Sequence, residues 1–169
     1  MKNSDKRLYN VIFPIWLLVL FPSYLWFILI PVNYLIDRIV LRWSLGDMSD
    51  KNLFCRKNTW KICLAGFLGD FVGSIALFFA SQLLSGLGGK RFSFLQMAGE
   101  GIMFDPFTNI LAVLVVIAAI ALSAVCIYKL DKSILGKTEL DPEQIARAAL
   151  RLVLFTAPYL YLVPSRWFY

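Results

Sequence analysis

The chain has 169 residues, of which 59% are hydrophobic, and its formal net charge at neutral pH is +6. Soluble domains are about 45–50% apolar, and a fold of this size could not hide the excess from water. The composition therefore excludes an ordinary water-soluble domain, and the length leaves room for a single helical domain over residues 1–169.

Apolar residues are concentrated in four segments that are long enough to cross a bilayer. These segments are residues 11–36, 62–84, 107–128 and 146–163. In hydrocarbon, backbone groups must be satisfied within the segment, so each one is predicted to be a helix. We therefore expect an all-α integral membrane protein, a bundle of about four transmembrane helices whose main partner is the lipid bilayer.

The first segment has no formal charge, but it is interrupted by three prolines, Pro14, Pro22 and Pro31. Proline frees a carbonyl group and bends a helix, although membrane helices tolerate it. Two interpretations remain open. Residues 11–36 form either one long proline-kinked span or a re-entrant hairpin that turns back at residues 21–23.

The second segment carries one acid, Asp70, close to the middle of the predicted membrane. An acid in this position costs about 2.5–3.5 kcal/mol on insertion scales, so it should face protein or water. At helical spacing, Ser74 and Ser81 share its face. The functional interpretation is a proton or cation site, with Asp70 binding and the two serines lining the path. The alternative is a structural hydrogen-bonding group between packed helices.

An adjacent face of the second segment is made of small residues. These are Ala65, Gly69, Gly73, Ala76 and Ala80. Small residues at this spacing let two helix backbones approach closely. The face is predicted to pack either against another helix of the same chain or against a second copy in a homo-oligomer.

The connection from residue 85 to residue 104 is longer than is usual in helical bundles and is rich in both glycine and large apolar residues. A hydrated loop would not need those apolar side chains. We expect the connection to lie in the headgroup layer, to dip into the membrane, or to cover the outer mouth of the bundle.

Polar residues mark the ends of several segments. Asp105 and Pro106 precede the third segment, where aspartate can cap free N–H groups and proline suits the first helical position. Asn33 and Asp37 lie toward the end of the first segment, and Asn109 opens the third. We interpret these last three as ordinary boundary residues, with polar groups at a helix interface as the alternative.

The fourth segment, residues 146–163, is predicted to extend backward as a helix to Pro142, after a capping Asp141. Arg147 and Arg151 are four residues apart and so share one face of its first turns. Long basic side chains can reach toward the headgroups. We expect both to contact lipid headgroups, and a specific lipid or partner site is the alternative.

The distribution of basic residues predicts an orientation. Eleven of the 17 Lys and Arg residues lie between the first and second segments or between the third and fourth, including the entrance of the fourth. The positive-inside rule then places these connections in the cytosol and both termini outside a plasma (inner) membrane. Lys2, Lys6 and Arg7 favour a cytosolic N-terminus instead, and the re-entrant interpretation would reconcile the two.

The sequence contains no histidine and three cysteines, Cys55, Cys63 and Cys126. Without histidine, a Ser–His or Cys–His catalytic pair is excluded, and a zinc site of the usual Cys/His kind is not expected. In the favoured orientation the cysteines lie near the cytosolic side, which suits free thiols. We expect no enzymatic activity, no cofactor and no metal.

Two functions from different classes fit these features. The first is a non-enzymatic membrane subunit or accessory protein, which acts through helix packing and basic cytosolic loops in a larger complex. The second is an oligomeric proton- or cation-linked channel or transporter that uses Asp70. Four short helices enclose little room, so the second function requires a homo-oligomer. Nucleic acid is not an expected partner, because the basic residues adjoin the membrane segments.

Overall fold

The computed structural model describes residues 14, 16–17, 26–46, 48, 50–88 and 92–167. Within these ranges the chain is all-helical, with five α-helices and three short 3-10 turns. The α-helices are α1 (Trp26–Ser44), α2 (Lys51–Gly88), α3 (Ser93–Phe104), α4 (Ile110–Leu135) and α5 (Pro142–Thr156). The 3-10 turns are Pro106–Thr108, Tyr159–Leu162 and Ser165–Trp167.

Three described segments are long and apolar enough to cross a membrane: α2, α4, and the stretch Pro142–Leu162 that joins α5 to the next 3-10 turn. The expected bundle of about four transmembrane helices is therefore corrected to five helices, of which three meet this criterion. The first helix does not meet it, because α1 carries Asp37, Arg38 and Arg42 in its second half.

The bounds of the first segment also differ from the prediction. Helix α1 begins at Trp26, contains Pro31, and continues past the expected end at Ile36 to Ser44. Beyond Ile36 it buries Asp37 and Leu41, so this part of the chain belongs to the core. The proposed turn at residues 21–23 lies outside the described residues, so the choice between a kinked span and a hairpin stays a prediction.

Helix α2 is the longest element and exceeds its predicted range of 62–84 at both ends. Its 38 residues extend over about 57 Å, against about 30 Å for the hydrocarbon core of a bilayer. Its first turns carry Lys51, Arg56 and Lys57, which suit water rather than lipid. A membrane-spanning α2 would therefore project beyond the bilayer at this end.

Local capping explains where α4 begins. Asp105 caps the short turn Pro106–Thr108, with its Oδ1 accepting from Phe107 N at 3.1 Å. Asn109 then caps α4 itself, with its Oδ1 accepting from Leu111 N at 2.8 Å. The predicted start at Phe107 is thus displaced to Ile110, and the helix ends at Leu135 rather than Tyr128 because its last turns remain packed in the core.

The prediction of one continuous fourth helix to residue 163 is wrong. Helix α5 ends at Thr156, two residues before Pro158. Proline lacks the N–H group that a helix needs, and it disfavours helical geometry in the preceding residue. Ala157 accordingly has an extended ψ of 148°. The chain continues as the 3-10 turn Tyr159–Leu162.

Within the predicted connection 85–104, the described residues continue α2 to Gly88 and form helix α3 over Ser93–Phe104. Gly99 lies against α2, where a Cβ atom would come within 2.9 Å of both the Ser81 carbonyl oxygen and the Ser85 amide nitrogen. The glycines of this region therefore allow α3 to pack closely on α2.

Two apolar clusters form the core, one at each end of the bundle. The basic-end cluster lies where α1 and α4 end and α2 and α5 begin, and contains Val40, Leu41, Leu45, Cys55, Ile62, Leu135, Ile145, Ala148 and Leu152. The far-end cluster contains Trp16, Leu17, Leu77, Ile102, Ala112, Val116, Ala119 and Tyr161. A polar layer lies between the two, made of Asp37, Cys63, Asp70, Ser74, Ser123 and Asp131.

Candidate functional site

Three helices each contribute one aspartate to the polar layer: Asp37 from α1, Asp70 from α2 and Asp131 from α4. Asp37 is 4% exposed and Asp131 is 0% exposed, so both are core residues. Asp37 interacts electrostatically with each of the other two. The three carboxyl groups therefore belong to one environment, although they are far apart in the sequence.

Among the three aspartates, Asp131 has the fewest hydrogen bonds to its carboxyl group in the described structure. Both of its carboxyl oxygens are buried without a hydrogen-bond partner among the described residues. An ionised carboxylate in such a position, without a partner, would cost several kcal/mol. The sequence reasoning missed this residue because it lies beyond the predicted end of the third segment. Asp131 follows Ile127 by four residues, and Ile127 follows Ser123 by four residues, so the three side chains share one face of the helix. This spacing was visible in the sequence.

Asp37 is held by a neighbouring helix. The Cys63 thiol of α2 donates a hydrogen bond to the Asp37 carboxyl group. The interpretation of Asp37 as an ordinary boundary residue does not describe this position, since the helix continues and turns its side chain into the core. Among the described residues, the three aspartates form no ion pair with a Lys or Arg side chain.

Asp70 adjoins a cavity of about 410 Å³ between α1, α2 and the chain that follows α5. Asn33 and Thr156 supply polar groups to the wall of this cavity, and the other lining side chains are mainly apolar or aromatic. One carboxyl oxygen, Oδ1, is buried without a hydrogen-bond partner in the described part of the chain. Asp70 is therefore the one acid of the layer that lines this cavity.

The structure brings Ser74 close to Asp70 but keeps Ser81 apart. The Ser74 hydroxyl lies 3.1 Å from the Trp16 carbonyl oxygen and 3.0 Å from the Tyr161 hydroxyl, which in turn donates to the Asp70 carbonyl oxygen. Ser81 donates to the Phe78 carbonyl oxygen of its own helix at 2.8 Å. It lies about 16 Å along the helix axis from Asp70, within the far end of the bundle.

The small-residue face of α2 packs inside the chain. Cβ atoms on Gly69 and Gly73 would overlap Ile127 and Ser123 of α4, and the Ser123 hydroxyl donates to the Gly69 carbonyl oxygen at 2.9 Å. Ala65 is also buried, whereas Ala76 and Ala80 are partly buried. This arrangement matches the intramolecular interpretation and leaves the homo-oligomer without support from this face.

The two arginines of α5 lie away from the polar layer. Arg147 pairs with Glu143 on the exposed surface of the helix. The Arg151 guanidinium lies 4.3 Å from the centre of the Trp43 ring and so links α5 to α1. Contact of either side chain with lipid headgroups stays a prediction.

Metal binding receives no support from the described part of the chain, where no three His, Cys, Asp or Glu side chains are grouped so that they could hold a metal ion. Cys55, Cys63 and Cys126 are free thiols.

No known family model, curated protein or solved structure matches this chain. Function must be argued from the arrangement of its own residues.

Proposed function

We propose that the chain is a multi-pass integral membrane protein in which Asp70 exchanges protons, as a component of proton-linked transport. Membrane insertion is supported by the large apolar side chains that remain exposed on the long helices. Examples are Leu64, Leu68, Phe79, Ile110, Leu114, Leu122 and Leu154. In a bilayer these side chains would face lipid. Under the positive-inside rule, the eleven basic residues of the first and third connections support a cytosolic location for that end and insertion into a plasma membrane.

Membrane insertion is tested by extraction from membranes. We expect the chain to stay in the membrane pellet after an alkaline carbonate wash and to dissolve only with detergent. A chain that remains folded and dispersed in buffer without any amphiphile would contradict the proposal, because its apolar surface would then have another explanation.

The position of Asp70 is the single observation that supports proton exchange. Its carboxyl group adjoins a cavity, one of its oxygens has no partner in the described structure, and no described basic side chain neutralises it. Acids inside membrane segments are rare because they are costly, and they commonly mark ion or proton pathways. A purely structural acid would be expected to have both oxygens bonded.

The experiment is proton flux into liposomes that contain the purified chain. We expect Asp70→Asn to reduce the flux at least tenfold, because the amide cannot exchange a proton. Asp141→Asn is the matched control, since Asp141 is exposed and its side chain makes no capping hydrogen bond. Equal flux in the parent and Asp70→Asn, or no flux in either, would reject this function.

A role as an accessory subunit is the second candidate, and the projecting end of α2 favours it. Together with the end of α4, it forms a cavity of about 600 Å³. The charged side chains of its wall are Lys57, Lys61, Lys137, Asp50 and Glu139, and they lie beside apolar side chains. A partner that recognises this end should be captured by the parent chain. It should be lost when the three lysines are changed to glutamine, while Asp70→Asn leaves capture intact.

A further inference from the structure

The proton chemistry of the bundle extends beyond Asp70, because the other two aspartates of the polar layer lie deeper and do not line the cavity beside it. Asp131 is the decisive residue. It is 0% exposed, and both carboxyl oxygens are without a hydrogen-bond partner in the described structure. A buried polar group of this kind requires an explanation, and a bound proton would remove the charge, which is the costliest part of its burial.

We propose that Asp37, Asp70 and Asp131 form one proton-binding centre, in which Asp131 is the innermost site and Asp70 exchanges protons with the cavity. The proposal deepens the proposed function, on which its exchange step rests. Binding of protons by Asp37 and Asp131 follows from their own surroundings and can be measured without any flux.

Helix packing places the two inner acids at one level of the bundle. Ile127 of α4 packs against Gly69 of α2, and the two helices run in opposite directions. Asp131 lies one turn further along α4, which brings it to the level of Ala65. Asp37 is bonded to Cys63 at nearly the same level.

Asp70 lies about two turns along α2 from Cys63, or roughly 10 Å along the helix axis. In the opposite direction, Thr59 lies one turn beyond Cys63, is fully buried, and has a hydroxyl oxygen without a partner in the described structure. Polar groups thus follow one another from the cavity, through the inner acids, toward the basic end.

Among the residues that the structure describes, no Lys or Arg side chain forms an ion pair with Asp37, Asp70 or Asp131. From α1, Arg38 and Arg42 interact with the Cys55 thiol, nearer the basic end. From α2 the centre meets Cys63, and Tyr161 approaches Asp70 from the turn after α5. From α5, Arg151 stacks on the Trp43 ring, away from the acids.

Like charges in a shared low-dielectric site oppose one another, so carboxyl groups held together without a cation retain protons. Because Asp37 and Asp131 lie at nearly one level of the bundle and Asp70 lies roughly 10 Å along α2 from that level, the three acids should release their protons as a coupled set rather than independently. This coupling distinguishes one centre from three unrelated buried acids.

The experiment is infrared spectroscopy of the chain in nanodiscs, with aspartate carboxyl groups labelled with carbon-13. We expect the parent to show protonated aspartate at neutral pH. Asp131→Asn should remove about a third of that signal, since one of three neutral acids is lost. The matched control, Asp141→Asn, should leave the signal unchanged.

Coupling is read from the same spectra recorded over a pH series. Asp37→Asn should lower the pH at which the remaining signal disappears, because a repelling neighbour has been removed. An unchanged pH would overturn the single centre, and a signal unaltered by Asp131→Asn would overturn the role of that residue.

Two further outcomes keep the test decisive. If Asp131→Asn does not fold, the parent spectrum still decides, since the absence of protonated aspartate at neutral pH overturns the proposal. Spectra that show the three neutral acids in a chain without proton flux would support the centre while rejecting the proposed function. Failure of the three-aspartate centre can therefore be distinguished from failure of proton-linked transport.

Discussion

Tyr161 connects the turn after α5 to α2 through a single hydroxyl group. Its side chain is 2% exposed, and its hydroxyl donates to the Asp70 carbonyl oxygen and lies 3.0 Å from the Ser74 hydroxyl. Most buried polar groups in proteins are hydrogen-bonded, and the Tyr161 hydroxyl follows this rule. Tyr161 therefore fixes one wall of the cavity next to Asp70, independently of any proton that Asp70 carries.

Removal of this hydroxyl group should weaken the fold. We expect Tyr161→Phe to lower the free energy of unfolding by about 1 kcal/mol, because a hydrogen-bonded group is lost from the core. The measurement is reversible unfolding in mixed micelles. Tyr159→Phe is the matched control, since the Tyr159 hydroxyl bonds to the Leu154 carbonyl oxygen on the exposed surface. An equal effect of the two changes would contradict the role of Tyr161.

Close packing of α3 against α2 is the main feature that the sequence did not predict at the scale of whole elements. The apolar residues of the connection 85–104 predicted a segment in the headgroup layer, in the membrane or over the mouth of the bundle, but not a helix packed on α2. In the structure the glycines of this connection allow close contact between the two helices. At Gly99, backbone atoms of α2 would lie 2.9 Å from an added Cβ atom. Glycine content alone cannot separate a flexible loop from a tightly packed helix.

An added methyl group tests this contact. Gly99→Ala should lower the free energy of unfolding by about 1–3 kcal/mol, because rigid backbone atoms of α2 must move away. Gly86→Ala is the matched control, since a Cβ atom there meets nothing within 4 Å. Alanine in an open helical position should be neutral or stabilising by up to about 1 kcal/mol. If both variants melt like the parent, α3 does not pack in this way.

One end of the molecule carries the basic-end cluster, and the other carries the far-end cluster. Helices α2, α4 and α5 run between these ends in alternating directions, and this alternation determines the topology. The connection between α1 and α2 and the connection between α4 and α5 both adjoin the basic-end cluster. The end of α2 at Gly88 and the start of α3 at Ser93 lie at the opposite end. The packing therefore places the two basic connections at the same end of the bundle, as the positive-inside rule predicted.

Labelling with a membrane-impermeant maleimide tests this topology in intact cells. Cysteines introduced as Asn52→Cys and Glu139→Cys should stay unlabelled, because the proposed orientation puts both positions on the cytosolic side, whereas Ser93→Cys should react. All three positions are exposed in the structure. The parent with Cys126→Ala is the blank, since Cys55 and Cys63 are buried. Different labelling of positions 52 and 139 would contradict the arrangement of the bundle.

The sequence by itself determined the apolar helical character of the chain, the acid at position 70 and the small-residue face around Gly69 and Gly73. These features depend on hydropathy and spacing within one segment, which can be read without knowledge of neighbours. The sequence-based prediction ended the first and third segments too early, because the charged residues that follow each segment are typical of the edge of a membrane.

Only the tertiary structure decided that Asp37 and Asp131 lie with Asp70 in one polar layer. Whether a polar side chain near a helix end faces water or the core depends on how far the helix continues and on its register against its neighbours. Those quantities are set by packing between α1, α2 and α4, through contacts such as Ile127 on Gly69. A pattern within one segment contains no information about them.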